Sequence, residues 1–182
     1  MNKCIFLDRD GVINKDYVDY TYTVERFEIL DGVIEALNCF KASGYRLVVI
    51  TNQSGIVKGI YGHDDVKKCH EYFQRECGHL IDAFYYSPWH QNYTNSLSRK
   101  PGTLMFERAA AKFDIDMDRS WMIGDRERDL IPARKLGLQT ILLEDEVNEG
   151  ICSYADYVKD NLLDAAKFVL LKDAEIRKEV KV

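Results

Sequence analysis

Two aspartates, Asp8 and Asp10, lie two positions apart directly after a short apolar run near the start of the chain. Carboxylates this close repel one another unless a cation or a shared proton relieves the repulsion. A hard ion such as Mg²⁺ suits an all-oxygen site, since it binds one or two carboxylates together with substrate phosphate. Asp125, which follows another apolar run, is the natural third oxygen ligand. With the metal bound, one aspartate can attack phosphorus while the other protonates the leaving oxygen and later activates water.

Other side chains have the chemistry needed to stabilise a phosphoryl group during its transfer. Hydroxyl, amide and cationic groups should surround the transferring oxygens, because this reaction depends mostly on positioning and charge stabilisation. Thr51, Asn52 and Lys100 fit these roles. Gly11 and Gly55 would let backbone N–H groups approach the phosphate closely. These residues predict a phosphate-binding site beside the aspartate pair.

The residues with this chemistry follow short apolar runs, and longer helical patterns separate those runs. Such alternation predicts a three-layer α/β fold, in which helices cover both faces of a parallel sheet. The predicted strands are 3–7, 46–50, 83–86, 120–123 and 138–143, and the predicted helices are 32–42, 63–77, 102–113, 126–136 and 161–171. Ligands of an open parallel sheet bind beyond the carboxyl ends of its strands. We therefore expect the candidate residues to face one crevice.

Length, composition and charge narrow the class of protein. The 182 residues predict a single domain spanning 1–182, and the net charge of −5 argues against nucleic-acid binding. No apolar run reaches the length of about 20 residues that spans a bilayer, and strand-like sequence begins by Cys4, which leaves no room for a signal peptide. The five cysteines include no Cys-x-x-Cys pair, which indicates no disulfide framework. We expect a cytoplasmic monomer that contacts neither nucleic acid nor membrane.

Four segments, taken in order, resemble the four motifs of the haloacid dehalogenase superfamily. They are the segment with Asp8 and Asp10, then Thr51, then Lys100, then Gly124 with Asp125. Within that superfamily, segments 6–14, 49–56 and 99–102 resemble the family of heptose-1,7-bisphosphate and histidinol-phosphate phosphatases. The resemblance spans nearly the whole chain.

This resemblance implies a Rossmann-like fold and a Mg²⁺-dependent phosphatase. Asp8 is implied as the nucleophile and Asp10 as the general acid and base. Mg²⁺ would be held by Asp8, the backbone carbonyl of Asp10 and Asp125, and phosphate would be contacted by Thr51, Asn52 and Lys100. The heptose branch implies a small phosphorylated sugar as substrate, with hydrolysis of the C7 phosphate of D-glycero-D-manno-heptose 1,7-bisphosphate.

The gaps between the motifs are too short for the mobile cap that other superfamily members carry. Residues 14–31 make only a loop, and residues 56–98 are used by one helix, one strand and a loop. We therefore expect a capless fold with an open site, in which loops 17–22 and 89–93 select the substrate. Arg99 and Arg126, beside the core motifs, are predicted to bind a sugar hydroxyl or a second phosphate.

One loop departs from the family pattern. Members commonly hold a structural zinc before the Arg-Lys pair, with a Cys-Pro-His start and a Cys-x-Cys end. Here the three expected cysteines are Ser87, Ser96 and Ser98, and the expected histidine is Trp89. Neutral hydroxyls are poor substitutes for thiolates in a tetrahedral zinc site, so we predict no zinc.

Two other functions stay open. A histidinol-phosphate phosphatase shares the motifs and differs only in the leaving group. A non-catalytic phosphate-binding module, such as a response-regulator receiver, also places an aspartate in a doubly wound domain with Mg²⁺. Receivers carry the acceptor on a later strand and lack a partner acid two residues beyond it, so Asp10 favours turnover.

Several further residues admit a structural explanation. Asp129, one helical turn after Asp125, either turns toward the metal site or favours the helix N-terminus. The charged end of the chain, 172–182, is predicted to be a frayed tail. Dispersed positions favour surface or packing roles for the four histidines, His63, His70, His79 and His90.

Overall fold

The computed structural model describes residues 1–144 and 152–179, and a six-stranded parallel sheet forms its centre. The strands are β1 (Cys4–Leu7), β2 (Arg46–Asn52), β3 (Ala83–Ser87), β4 (Trp121–Gly124), β5 (Gln139–Leu143) and β6 (Tyr157–Lys159). In space they are ordered β3-β2-β1-β4-β5-β6, and every neighbouring pair is parallel. The predicted α/β fold with a parallel sheet is confirmed.

Helices cover both faces of this sheet. They are α1 (Val33–Ala42), α2 (His63–Glu76), α3 (Leu104–Phe113), α4 (Glu127–Lys135) and α5 (Leu162–Glu179). Successive side chains of a strand point to opposite faces, so Ile5 and Leu7 of β1 pack in the core beneath α1, α2 and α5. Cys4 and Phe6 pack in the second core, beneath α3 and α4. The three-layer arrangement follows from this alternation.

The order of the strands reverses at the centre of the sheet. The chain proceeds from β1 outward through β2 to β3 and then returns to place β4 on the other side of β1. A crevice opens at such a switch point, beyond the carboxyl ends of the two central strands. Asp8 follows β1 and Asp125 follows β4, so the topology brings these two aspartates together.

Two parts of the fold differ from the sequence-based expectation. The short strand β6 was not predicted, because three half-exposed residues at the sheet edge show no periodicity of their own. The prediction of a frayed tail is wrong for residues 172–179, which continue α5. Asp173 accepts a hydrogen bond of 2.9 Å from the Tyr45 hydroxyl and pairs with Lys3, which attaches this end of the helix to the sheet. Residues 180–182 lie outside the described part of the chain.

The two places where a cap would be inserted hold little structure. In the described residues, one 3₁₀ helix (Val24–Arg26) lies between β1 and α1, and only α2 lies between β2 and β3. The crevice is therefore bordered by loops, as expected for a capless fold. None of the described helices has the length and apolar character needed to cross a membrane.

Candidate active site

Three buried carboxylates meet at the switch point of the sheet. Asp8 and Asp125 extend from the ends of β1 and β4, and Asp129 lies in the first turn of α4. Carboxylate oxygens of all three residues lie within 4.8 Å of one another. The backbone crowds this cluster, because a Cβ atom at Gly11 would lie 2.5 Å from an Asp125 oxygen. Glycine is required there also by the left-handed φ of +83°.

Lys100 supplies the positive charge within this cluster. Its Nζ atom lies 2.9 Å from Asp8 Oδ1 and 2.8 Å from Asp129 Oδ1, and it donates a hydrogen bond of 2.7 Å to the Ile50 carbonyl. The side chain is completely buried. Asn52 holds the lysine backbone, since its amide pairs with both Lys100 N (3.0 Å) and Lys100 O (3.1 Å). The predicted phosphate ligand Asn52 thus also positions Lys100.

The charges in the cluster give its carboxylates different protonation behaviour. Burial alone would raise the pKa of Asp8, but the charges of Lys100 and Arg128 outweigh it and hold that pKa below its usual value. Burial, together with the charges of Asp129 and Asp8, raises the pKa of Asp125 to about 8. Asp8 is therefore ionised and able to act as a nucleophile at neutral pH. The raised pKa favours the protonated form of Asp125, and a bound cation would favour the ionised form.

This set of donors fits a hard divalent cation. Mg²⁺ prefers oxygen ligands and is usually bound by one or two carboxylates with several waters and a phosphate. Asp8 and Asp125 would hold it, as the resemblance implied, and Asp129 lies close enough to join them. The other explanation of Asp129, a role at the helix N-terminus, agrees with the structure, because its Oδ2 accepts the Arg126 backbone N–H at 3.1 Å and caps α4.

Within the described part of the chain, the cluster of three carboxylates does not include Asp10. The Asp10 carboxylate accepts hydrogen bonds from Arg9 Nη2 (2.8 Å), Asn14 Nδ2 (2.9 Å) and Gln53 Nε2 (3.0 Å). The same carboxylate borders the crevice beside Asp8. A carboxyl group at this position can exchange protons with a bound substrate, while its side chain lies outside the three-carboxylate group.

The crevice has a volume of about 260 Å³ and a polar lining. Asp8, Asp10, Thr51 and Asn52 are among the residues that line it. The lining also includes residues from both predicted specificity loops, together with cationic groups: Tyr17, Tyr20, Lys58, His90, Arg99 and Arg128. The structure thus brings Asp8, Asp10, Thr51, Asn52 and Arg99 of the predicted site to one opening, while Lys100 lies buried behind it against Asp8.

The three arginines near the crevice have different surroundings. Arg99 lines the crevice and donates a hydrogen bond of 3.0 Å to the Trp89 carbonyl. Arg126 lies outside the set of lining residues that the structure describes, and its Nε atom is 3.0 Å from Asp125 Oδ2. Arg128, which sequence reasoning missed, lines the crevice instead. No signal in the sequence distinguishes these two arginines, because their orientation depends on where α4 begins.

The serine-containing loop is closed by hydrogen bonds between hydroxyls. Ser98 Oγ lies 3.0 Å from Ser87 Oγ and 2.9 Å from Ser96 Oγ. Trp89, at the position where the family has a histidine, is 43% exposed. Neutral hydroxyls that bond to one another do not fit a zinc ion, which requires deprotonated thiolates or imidazoles.

A larger cavity, of about 660 Å³, lies away from the carboxylates, between α2 and the edge strand β3. His70 stacks on Phe84 there, with ring centroids 4.4 Å apart. His63 shares a hydrogen bond of 2.8 Å with the Tyr86 hydroxyl. These contacts agree with the packing roles expected for His63 and His70. Asp8 and Asp10, the predicted catalytic residues, line the smaller, polar crevice, which is therefore the candidate site.

An aspartate after the first strand, paired with a buried lysine and close to two further carboxylates at the switch point, is the arrangement expected for the haloacid dehalogenase class of phosphoryl-transferring hydrolases. The HAD-hydrolase-like family model matches residues 97–165. Two curated relatives match most of the chain. The D-glycero-D-manno-heptose-1,7-bisphosphate 7-phosphatase of Chlorobaculum tepidum is 35% identical over 188 residues, covering 93% of this chain and 94% of that protein. The D-glycero-beta-D-manno-heptose-1,7-bisphosphate 7-phosphatase of Pasteurella multocida is 34% identical over 180 residues, covering 93% and 97%.

A solved structure agrees with these relatives. The D,D-heptose 1,7-bisphosphate phosphatase from B. bronchiseptica, crystallised with magnesium and phosphate, superposes with a TM-score of 0.84. The two proteins are 25% identical, and the match covers 93% of this chain and 99% of that one. The chain belongs to the family of heptose-1,7-bisphosphate 7-phosphatases within the haloacid dehalogenase-like hydrolases. It is a phosphoric monoester hydrolase, as the resemblance predicted.

Proposed function

We propose that this chain removes the C7 phosphate of D-glycero-D-manno-heptose 1,7-bisphosphate through an aspartyl-phosphate on Asp8. The observation that carries the proposal is the position of Asp8 at the switch point, ionised beside Lys100 and next to two further buried carboxylates. The names of the relatives support the heptose substrate, and the bound magnesium and phosphate of the B. bronchiseptica enzyme support the metal.

In the first step, Asp8 attacks phosphorus and Asp10 donates a proton to the departing sugar oxygen. In the second step, Asp10 takes a proton from the water that attacks phosphorus, which releases phosphate and restores Asp8. Lys100 and the Thr51 hydroxyl stabilise the charge on the transferring oxygens. Asp8 and Asp125, with the Asp10 backbone carbonyl, would hold Mg²⁺, and the bound ion would supply further charge neutralisation.

Other residues that line the crevice are proposed to bind the remainder of the substrate. Arg99 and Arg128 place two guanidinium groups there, and guanidinium is suited to planar, bidentate contacts with phosphate. A substrate contact by Arg126, also predicted from the sequence, would require this side chain to leave its ion pairs with Asp125 and Asp16. We therefore propose that Arg99 contributes more to substrate binding than Arg126 does.

Several general properties of the chain complete the proposal. The chain acts as a single phosphatase domain over residues 1–182, as a cytoplasmic monomer, without zinc and without nucleic-acid or membrane partners. The absence of zinc is supported by the serine hydroxyls that replace thiolates in the loop. The net charge of −5 supports the absence of nucleic-acid binding.

The test is phosphate release from heptose 1,7-bisphosphate, histidinol phosphate and a generic aryl phosphate, with and without Mg²⁺, for the wild type and Asp8→Asn. We expect a strong preference for the heptose compound, which EDTA and Asp8→Asn both abolish. A preference for histidinol phosphate would overturn the substrate assignment. A purified protein that binds phosphate but releases none from any substrate would instead be a binding module.

A further inference from the structure

The Asp10 carboxylate is held by a chain of hydrogen bonds that begins at a buried tyrosine. The Tyr61 hydroxyl donates to Gln53 Oε1 at 2.9 Å. Gln53 Nε2 then donates to Asp10 Oδ2 at 3.0 Å and to Thr51 Oγ1 at 3.0 Å. Gln53 is 1% exposed and Tyr61 is 7% exposed, so water does not compete freely for these bonds.

The chemistry of the partners determines the direction of this chain. The Nε2 atom of Gln53 lies within hydrogen-bond distance of two acceptors, Asp10 Oδ2 and Thr51 Oγ1, so the NH₂ group of Gln53 faces Asp10. The amide oxygen of Gln53 then faces Tyr61, which is its only donor in the described residues. Burial raises the pKa of the Tyr61 hydroxyl, so this group remains a protonated donor at neutral pH. Without the hydroxyl, a buried amide oxygen would lose its partner and the amide would be free to turn.

The Tyr61 ring is itself fixed by its neighbours. A Cβ atom at Gly55 would lie 2.0 Å from the ring, so the ring lies directly on this glycine. Tyr22 stacks on the ring with centroids 5.0 Å apart, and Tyr20 packs edge-on to it with the two ring centroids 5.8 Å apart. Tyr20 also borders the crevice, where its hydroxyl accepts a hydrogen bond of 2.7 Å from Lys58. Tyr61 therefore lies between the loop of Tyr20 and Tyr22, which reaches the crevice at Tyr20, and Gln53, which holds Asp10.

We propose that Tyr61, acting through Gln53, is a positioning residue for the Asp10 carboxyl group and connects it to the substrate-facing loop at Tyr20 and Tyr22. The proposal rests on the proposed role of Asp10 as general acid. Tyr61 is not among the described residues that line the crevice, so its effect would reach the reaction through the orientation of the Asp10 oxygens.

A positioning role of this kind predicts a dependence on the leaving group. An alkoxide from a sugar or other alkyl phosphate leaves slowly without a proton from Asp10. A p-nitrophenolate leaves readily as an anion and needs no such proton. A loss of correct Asp10 orientation should therefore lower kcat/KM for alkyl phosphates and spare p-nitrophenyl phosphate, whereas general structural damage should affect both substrates.

The experiment compares Tyr61→Phe with Tyr45→Phe, by measuring kcat/KM for heptose 1,7-bisphosphate and p-nitrophenyl phosphate with saturating Mg²⁺. Tyr45 is a matched control, because it is also buried and also donates one hydrogen bond, to Asp173, but lies before β2 at the opposite end of the sheet. For Tyr61→Phe we expect about a 3- to 10-fold loss on the heptose substrate, the range that one hydrogen bond commonly supplies, and less than about a 2-fold loss on p-nitrophenyl phosphate. Tyr45→Phe should change the ratio of the two values by less than about 2-fold.

A second pair of variants tests the connection through Gln53. Gln53→Met removes the intermediate amide, so adding Tyr61→Phe to it should cause no further selective loss. Additive losses in the double variant would overturn the proposal. Equal losses of Tyr61→Phe on both substrates, or no loss, would overturn it as well.

The Asp10→Asn variant separates this inference from the proposed function. If Asp10 is the general acid, this variant should lose about 10²- to 10⁴-fold on the heptose substrate and far less on p-nitrophenyl phosphate. If Asp10→Asn shows that selectivity and Tyr61→Phe does not, only the positioning role fails. If Asp10→Asn shows no selectivity, the proposed role of Asp10 fails and takes the positioning role with it.

Discussion

Replacing Lys100 with methionine removes the cation from the cluster of buried carboxylates and preserves much of the side-chain volume. Lys100 is completely buried, as is Asp129, and the Asp8 side chain is 5% exposed, so solvent screening does not weaken these ion pairs. Removing one partner of a buried pair costs about 3–5 kcal/mol, because the remaining charge has no compensation. For a chain of this length, each kcal/mol lowers Tm by about 2–4 °C. We expect Lys100→Met to lower the free energy of unfolding by about 3–5 kcal/mol at pH 8 without Mg²⁺.

The same variant has a predicted pH dependence. Lys100 lowers the pKa of Asp8 and of Asp129, so its loss lets both carboxyls bind protons at higher pH in the folded state. A folded state that binds more protons than the unfolded state loses stability as pH rises. The free energy of unfolding that Lys100→Met loses relative to the wild type should therefore be smaller near pH 5 than near pH 8.

Urea unfolding in EDTA at both pH values measures this deficit. Lys135→Met, at an exposed lysine at the end of α4, is the matched control and should lie within about 0.5 kcal/mol of the wild type. A deficit for Lys100→Met below about 1 kcal/mol, or one that is the same at both pH values, would refute the electrostatic account of the cluster.

Three further predictions concern the metal, the positioning tyrosine and the last helix. Mg²⁺ must replace the proton of Asp125, whose pKa is about 8, so its Kd should fall up to about tenfold per pH unit from pH 6 to pH 8 in titration calorimetry; a constant Kd would contradict this. Gly55→Ala places a Cβ atom 2.0 Å from the Tyr61 ring, so urea unfolding should show a loss of about 1–3 kcal/mol, and an unchanged stability would refute this contact. Asp173→Ala leaves the Tyr45 hydroxyl without its acceptor and should cost about 1–3 kcal/mol in the same assay, whereas a frayed tail would give no change.

Local patterns in the sequence were sufficient to predict the central sheet and the position of the site. Short apolar runs marked five of the six strands, and parallel strands share one carboxyl edge. For that reason Asp8, Thr51 and Asp125 could be expected to meet before the strand order was known. The strand β6 and the continuation of α5 depend on contacts with distant residues, which no local pattern contains.

The orientation of side chains within the site was less predictable. Asp129 could be assigned either to the helix N-terminus or to the metal site, and the structure shows that its two oxygens face different partners. Which of Arg126 and Arg128 lines the crevice depends on a rotation of about 100° per residue around α4. Gln53 carried no evident role in the sequence, because its function depends on Tyr61, eight residues later, folding back onto Gly55.

The most direct test of the central claim is to trap a phosphorylated Asp8. Asp10→Asn should form the intermediate from p-nitrophenyl phosphate, which needs no acid, and should hydrolyse it slowly, because the water then lacks its base. Rapid quenching with borohydride reduces an aspartyl-phosphate to homoserine, and peptide mass spectrometry locates the change. The account predicts homoserine at position 8 in samples with Mg²⁺ and none in samples with EDTA. Reduction at another aspartate, or unmodified Asp8 under conditions of measured turnover, would contradict it.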